Sequence, residues 1–211
     1  MVEGVVERKM VHPLLEVIAG SMFSGKTDEL IRRLEREEKA KLNVQLFKPS
    51  IDIRYDPKKV NSHSGRSRDA ILVGKDDPKS ILKLVDPAIK VIGIDEVQFF
   101  SDEIVDVCEE LVAMGKRVIV DGLPTDFRGE PFGAMPFLMA IAEKVDKLAA
   151  ICMVCGEEAY FTQRIKIVNG ERLPVNYDDP LILVGAEQDY EARCRVHHEV
   201  PGRPDSKQHG N

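Results

Sequence analysis

Apolar residues fall along this chain in two rhythms. Short unbroken runs, LLEVIA (14–19), NVQLFK (43–48), IKVIGIDE (89–96) and KRVIVDG (116–122), have the length and polar borders of buried strands. Between them lie stretches with helical spacing. Over residues 25–41, Leu30, Ile31 and Leu34 form an apolar stripe, while Arg32, Arg33, Glu35, Arg36, Glu37 and Glu38 make a solvated face. Shorter helices are predicted over 77–85, 102–114 and 134–145, the second with Ser101 as its cap and Asp102 and Glu103 at its positive end. DAILV (69–73) adds a short strand. Strands alternating with helices of this length predict parallel βαβ units, hence an α/β fold on a mainly parallel, doubly wound sheet.

Two segments break the rhythm. From Ser50 to Arg68 the chain is polar without periodicity, which predicts a long loop or a mobile hairpin. Beyond residue 151 helical spacing stops, and extended pieces such as AYFTQRIKIV (159–168) and LILVG (181–185) flank the turn signal NGE (169–171). The expected organisation is a flexible leader (1–13), an α/β domain (14–150), a small β-rich domain (151–198) and a polar, disordered tail (199–211).

Composition narrows the function classes. With 211 residues, 43% hydrophobic and 31% charged, the chain can bury a full core without disulfides. A net charge of −6 argues against a broad nucleic-acid-binding face. No apolar run approaches the roughly 18 residues of a membrane span, and the opening MVEGVVERKMVH lacks the apolar stretch of a signal peptide. A cytoplasmic protein with neither nucleic acid nor membrane as partner is expected. Its four cysteines then read as thiols or metal ligands.

Three constellations carry chemistry. In GSMFSGKT (20–27), Gly20 and Gly25 let the backbone curl so that amide N–H groups of Ser21, Met22, Phe23 and Ser24 face phosphate oxygens. Lys26 can bridge the β- and γ-phosphates, and the Thr27 hydroxyl can bind Mg²⁺. In IDEVQFF (94–100), Asp95 at a strand end suits Mg²⁺ held through water. Adjacent residues of a strand point opposite ways, so Glu96 is free to act as a base. In CMVC (152–155) and CRVH (194–197), Cys152, Cys155, Cys194 and His197 make a closed tetrahedral set, which suits structural zinc. His198 rivals His197 for the fourth place. Cys108, among apolar neighbours, reads as a core residue. Phe23, Phe99, Phe100, Phe127, Phe132 and Phe137 gather near strand ends, where a flat, base-like substrate could lie.

Taken together, GSMFSGKT, KPSIDIRYD (48–56), IDEVQFF, DFRGEPFG (126–133) and the paired knuckles resemble the thymidine kinase family of the bacterial and cytosolic animal type, from about residue 14 to 198. The resemblance implies a RecA-like P-loop core and a zinc-binding domain with a long lasso loop. It implies ATP-dependent phosphorylation of the thymidine 5′-hydroxyl to give dTMP, with Glu96 as general base and Arg54 beside the transferred phosphoryl group. Residues 20–27 with Asp95 and Gln98 would serve ATP and its Mg²⁺. The base would lie against Phe127 and Tyr190 and the main chain of Leu181, Ile182, Leu183, Val184 and Gly185, with Met22, Phe99, Phe132 and Thr162 as further contacts. A homotetramer inhibited by dTTP is also implied. Two rivals share single features: a RecA-like DNA-stimulated ATPase, opposed by the acidic balance, and a nucleotide-binding adaptor, for which two adjacent acids are superfluous.

Overall fold

A computed structural model of the chain describes residues 11–50, 59–62, 65–182 and 187–204. In chain order its elements are β1 (Leu14–Gly20), α1 (Lys26–Lys39), β2 (Val44–Pro49), β3 (Lys59–Asn61), β4 (Ser67–Asp69), β5 (Ile71–Val73), α2 (Ser80–Leu84), β6 (Val91–Ile94), α3 (Ile104–Ala113) and β7 (Arg117–Gly122). They continue as α4 (Met135–Ile141), β8 (Lys144–Leu148), β9 (Ala150–Ile151), β10 (Glu158–Ala159), β11 (Phe161–Val168), β12 (Glu171–Pro174) and β13 (Tyr190–Arg193).

Six strands pair in the order β5-β2-β6-β7-β1-β8, every neighbour parallel. The expected α/β architecture is therefore the observed one. Alternation along β1 builds the two faces: Val17 and Ala19 join the core beneath α2, α3 and α4, while Ile18 packs with Leu30, Ile31 and Leu34 of α1. Register then aligns the functional ends, with Ala19 beside Gly122 and Phe47 beside Ile94. The loops after β1, β6 and β7 consequently emerge together, at the carboxyl edge where open α/β sheets bind ligands.

The local expectations need three corrections. The helix expected to reach residue 145 ends at Ile141, and β8 follows as an edge strand. Helical spacing runs on into AEKV, but pairing with β1 across Glu16–Lys144 to Gly20–Leu148 wins. Ser101 does not cap α3 through its side chain; its carbonyl accepts the Ile104 N–H while its hydroxyl is buried with no partner among the described residues. The partner of β11 across Asn169–Gly170 is β12, and β13 flanks its other half; Leu181 and Ile182 lie outside any strand. Of the loop or hairpin expected over 50–68, the described residues show the hairpin β3–β4, which buries Val60 against the α1 side of the core. Arg68 of that hairpin forms a double hydrogen bond with Glu38 on α1. Among the described residues no helix is long and apolar enough to cross a membrane.

Candidate active site and metal cluster

The turn after β1 is shaped by two glycines for different reasons. A side chain on Gly20 would meet Ser24 Oγ at 2.4 Å and the Leu148 carbonyl at 2.8 Å, so the turn closes only over a bare Cα. Gly25 has φ 80°, the left-handed conformation from which α1 starts. The loop is also tied to distant strands. Ser21 Oγ donates to the Ala159 carbonyl at 3.1 Å, and the Met22 N–H donates to Thr162 Oγ1 at 3.0 Å. Lys26 is buried and donates to the Ser21 carbonyl at 3.0 Å, a neutral acceptor that phosphate oxygens could replace. Phe23 stands at φ 65° and is exposed.

Opposite this loop, the Asp95 N–H bonds the Phe47 carbonyl, and its carboxylate faces the Thr27 hydroxyl, Oγ1 to Oδ1 3.5 Å. The two oxygens thus lie side by side, as ligands directed at one cation would. Glu96 does not continue the strand. It adopts φ 51°, ψ 47°, a left-handed turn leading into the short helix Val97–Phe99. Simple alternation of faces therefore does not describe the two acids, because the strand ends between them. Gln98, buried, donates its amide N–H to the Glu96 carboxylate and accepts the Leu123 N–H at 3.1 Å. It thus lies behind Glu96.

A third acid belongs to this group and the sequence reading passed over it. Asp121, next to last in β7, is 1% exposed and accepts the Glu96 N–H at 2.9 Å. Burial first, and then the charge of Glu96, pushes its carboxyl up to about 6. The available signal was an acid at the carboxyl end of a buried run, the same position that singled out Asp95.

The aromatic residues divide. Phe99 and Phe132 meet edge to face with ring centres 5.7 Å apart. Phe127 is buried, with the Arg128 and Arg164 guanidinium groups 5.2 and 5.5 Å from its ring centre. Those arginines bond the carbonyls of Asp179 and Pro180, so Phe127 sits at the root of the segment leading to Leu181 and Ile182, both exposed. Thr162 is buried beside the phosphate loop, and Tyr190 is half-buried at the start of β13. Arg54, Leu183, Val184 and Gly185 lie outside the described residues.

At the other end of this region, Cys152, Cys155, Cys194 and His197 bring their ligand atoms within 4.8 Å of one another. Cys155 and Cys194 sulfurs are 3.8 Å apart, close to the ~3.8 Å spacing of two thiolates on one tetrahedral zinc. His197 presents Nδ1, 3.2 Å from Cys194 Sγ. Burial opposes ionisation of Cys152, but N–H groups of Cys194, Val154 and Cys155 outweigh it and draw the thiol down to about 6. The donor set suits structural zinc. His198 is committed elsewhere: its Nε2 donates to the Phe127 carbonyl at 2.9 Å and its ring stacks on Phe161. Cys108 is buried in the main core, which pushes its thiol up to about 12.

Comparison with known proteins adds independent findings. The family model described as thymidine kinase matches residues 13–198. A thymidine kinase of Coprothermobacter proteolyticus is 58% identical over 189 residues, covering 90% of this chain and 92% of that protein. Among solved structures, the Legionella pneumophila ATPase DotB superposes with a TM-score of 0.38 at 15% identity, over 75% of this chain and 47% of DotB.

Proposed function

Because the chain belongs to the thymidine kinase family, we propose that its site moves the γ-phosphoryl group of ATP to the 5′-hydroxyl of thymidine, giving dTMP and ADP. The enzyme is a nucleoside-phosphorylating kinase. Its residues suggest how. Amide N–H groups of the 20–25 turn, the start of α1 and Lys26 receive the triphosphate. Thr27 and Asp95 would hold Mg²⁺, whose charge offsets that of the phosphates when bound. Glu96 takes the 5′-hydroxyl proton as that oxygen bonds to phosphorus and the bond to ADP breaks. Arg54 neutralises charge on the transferred group. Thymine lies against Phe99, Phe127, Phe132, Met22, Thr162 and Tyr190, with the main chain of 181–185 bonding its polar edge. A base of the wrong pattern would leave buried groups unpaired.

We also read residues 14–150 as the nucleotide-binding domain and 151–198 as the zinc-bearing lasso domain. The family likeness extends the proposal to a cytoplasmic homotetramer inhibited by dTTP.

The observation that carries this reading is the pairing of roles on consecutive residues. Asp95 faces Thr27, while Glu96 opens a left-handed turn and has its carboxylate held by Gln98. A phosphate-binding module needs only the first acid. Incubation with Mg·ATP and each deoxynucleoside should yield dTMP from thymidine. DNA-stimulated ATP hydrolysis without any nucleoside monophosphate would overturn the proposal. Glu96→Gln should keep ATP binding while kcat falls about 10²–10⁴-fold, the usual range for a general base.

A further inference from the structure

We propose that Asp121 is a positioning residue for Glu96, acting as the acceptor that fixes the Glu96 backbone; this rests on the reading of Glu96 as the proton acceptor. Three observations carry it. Glu96 occupies a left-handed conformation that non-glycine residues avoid, so something must over-determine it. Its N–H is taken by Asp121 Oδ1 at 2.9 Å, its carbonyl by the Phe99 N–H at 3.1 Å, and its carboxylate by Gln98. Of these, Asp121 alone comes from a neighbouring strand of the sheet. It is fixed in register opposite Ile18 and is 1% exposed.

The second observation is a cost. Asp121 is buried beside two further acids, with Asp95 in hydrogen-bonding reach of its carboxyl and Glu96 near enough to repel its charge. An acid kept in so unfavourable a place is uncommon unless one of its oxygens is needed. The third is geometric: β6 stops at Ile94, and the bond to Asp121 is made by the residue that turns the chain. Removing the acceptor leaves the Glu96 N–H unpaired and lets the chain relax toward extended backbone. That swings the carboxylate away from the attacking hydroxyl. Small displacements of a catalytic group are costly because the reacting atoms must meet within a narrow geometry.

The test compares Asp121→Ala, Asp121→Asn, Glu96→Gln and the double variant Glu96→Gln/Asp121→Ala in the full chain, with Mg·ATP and thymidine. Rates are expressed per site that binds a non-hydrolysable ATP analogue, so a partly unfolded preparation does not imitate a loss. Asp121→Ala should lower kcat about 10- to 100-fold while both KM values change less than about threefold. Asp121→Asn, which keeps an acceptor oxygen, should recover kcat to within about threefold of the parent. In the Glu96→Gln background Asp121→Ala should slow the enzyme by less than about twofold, because its route to the reaction is already gone. Normal kcat in Asp121→Ala, equal losses in the alanine and asparagine variants, or full additivity in the double variant would each overturn the inference. A Glu96→Gln enzyme of normal kcat would instead overturn the reading beneath it. A slow Glu96→Gln beside a normal Asp121→Ala would remove only the role of Asp121.

Discussion

At the scale of single residues, the role proposed for Glu96 rests on the groups that surround it. Its carboxylate depends on Gln98, whose two ends bond Glu96 and the Leu123 N–H. Gln98 in turn is pressed by glycines. A Cβ on Gly133, which has φ 50°, would lie 2.4 Å from the Gln98 carbonyl oxygen, a backbone atom with little room to retreat. Gly133→Ala should therefore push Gln98 and Glu96 out of place. A stability loss of about 1–3 kcal/mol is expected from overpacking and the left-handed backbone, read by chemical denaturation. A fall in kcat should accompany it, and an enzyme with unchanged kcat would show that Gln98 does not hold Glu96.

At the scale of elements, α1 is attached to the sheet by charge as well as by its apolar stripe. Arg33, almost buried, bonds Glu29 within the helix, Glu16 on β1 and Asp146 on β8. Glu16 is 1% exposed and is shared with Arg117, so the buried carboxylate has two guanidinium partners. The hydrogen bond from Arg32, joined by that from Arg33, holds Glu29 down to about 2 from an ordinary 4.5. A carboxyl depressed in the folded state stabilises fully above its unfolded value, and that stability is lost as pH falls from about 4.5 through about 2. Glu29→Gln should reduce the acid-side decline in unfolding free energy across that window while leaving the neutral-pH slope alone. Asp146, also lowered chiefly by its bond from Arg33, keeps part of the decline in place. Denaturant titrations at stepped pH would measure the difference, and parallel curves for the two proteins would refute the assignment.

At the scale of the whole molecule, the metal cluster and the phosphate loop share a scaffold. Cys152 packs with Ala150, Ala159 and Ala192 in a small core of their own. Ala159 accepts the Ser21 hydroxyl, and Thr162 on β11 accepts the Met22 N–H. A core this small gains little from burial, so a zinc ion held by the cluster would supply much of its stability. Cys152→Ser should yield protein with less than one equivalent of zinc and a raised KM for thymidine. Because the same strands hold Ser21 and Met22, the KM for ATP should rise as well. Full zinc content with unchanged KM values would contradict this account.

Much of this protein was legible in its sequence. The alternation of apolar runs and helical stripes determined an α/β core, because burial on both faces of a parallel sheet demands continuous apolar strands. The GSMFSGKT turn, Asp95 with Glu96, and the two cysteine knuckles could be found because their chemistry depends on residues a few positions apart. Tertiary structure decided what depends on distant contacts. Strand β8 pairs with β1 although its first residues, Lys144 and Val145, continue the helical spacing. His197 faces the cysteines because the Phe127 carbonyl and the Phe161 ring already hold His198. Asp121 meets Glu96 only because β6 and β7 lie side by side, with Gly93 opposite Ile119 and Ile94 opposite Val120. Spacing along a chain encodes which groups a local turn can gather. Sheet register, set by the burial of whole strands, encodes the partners that come from far away.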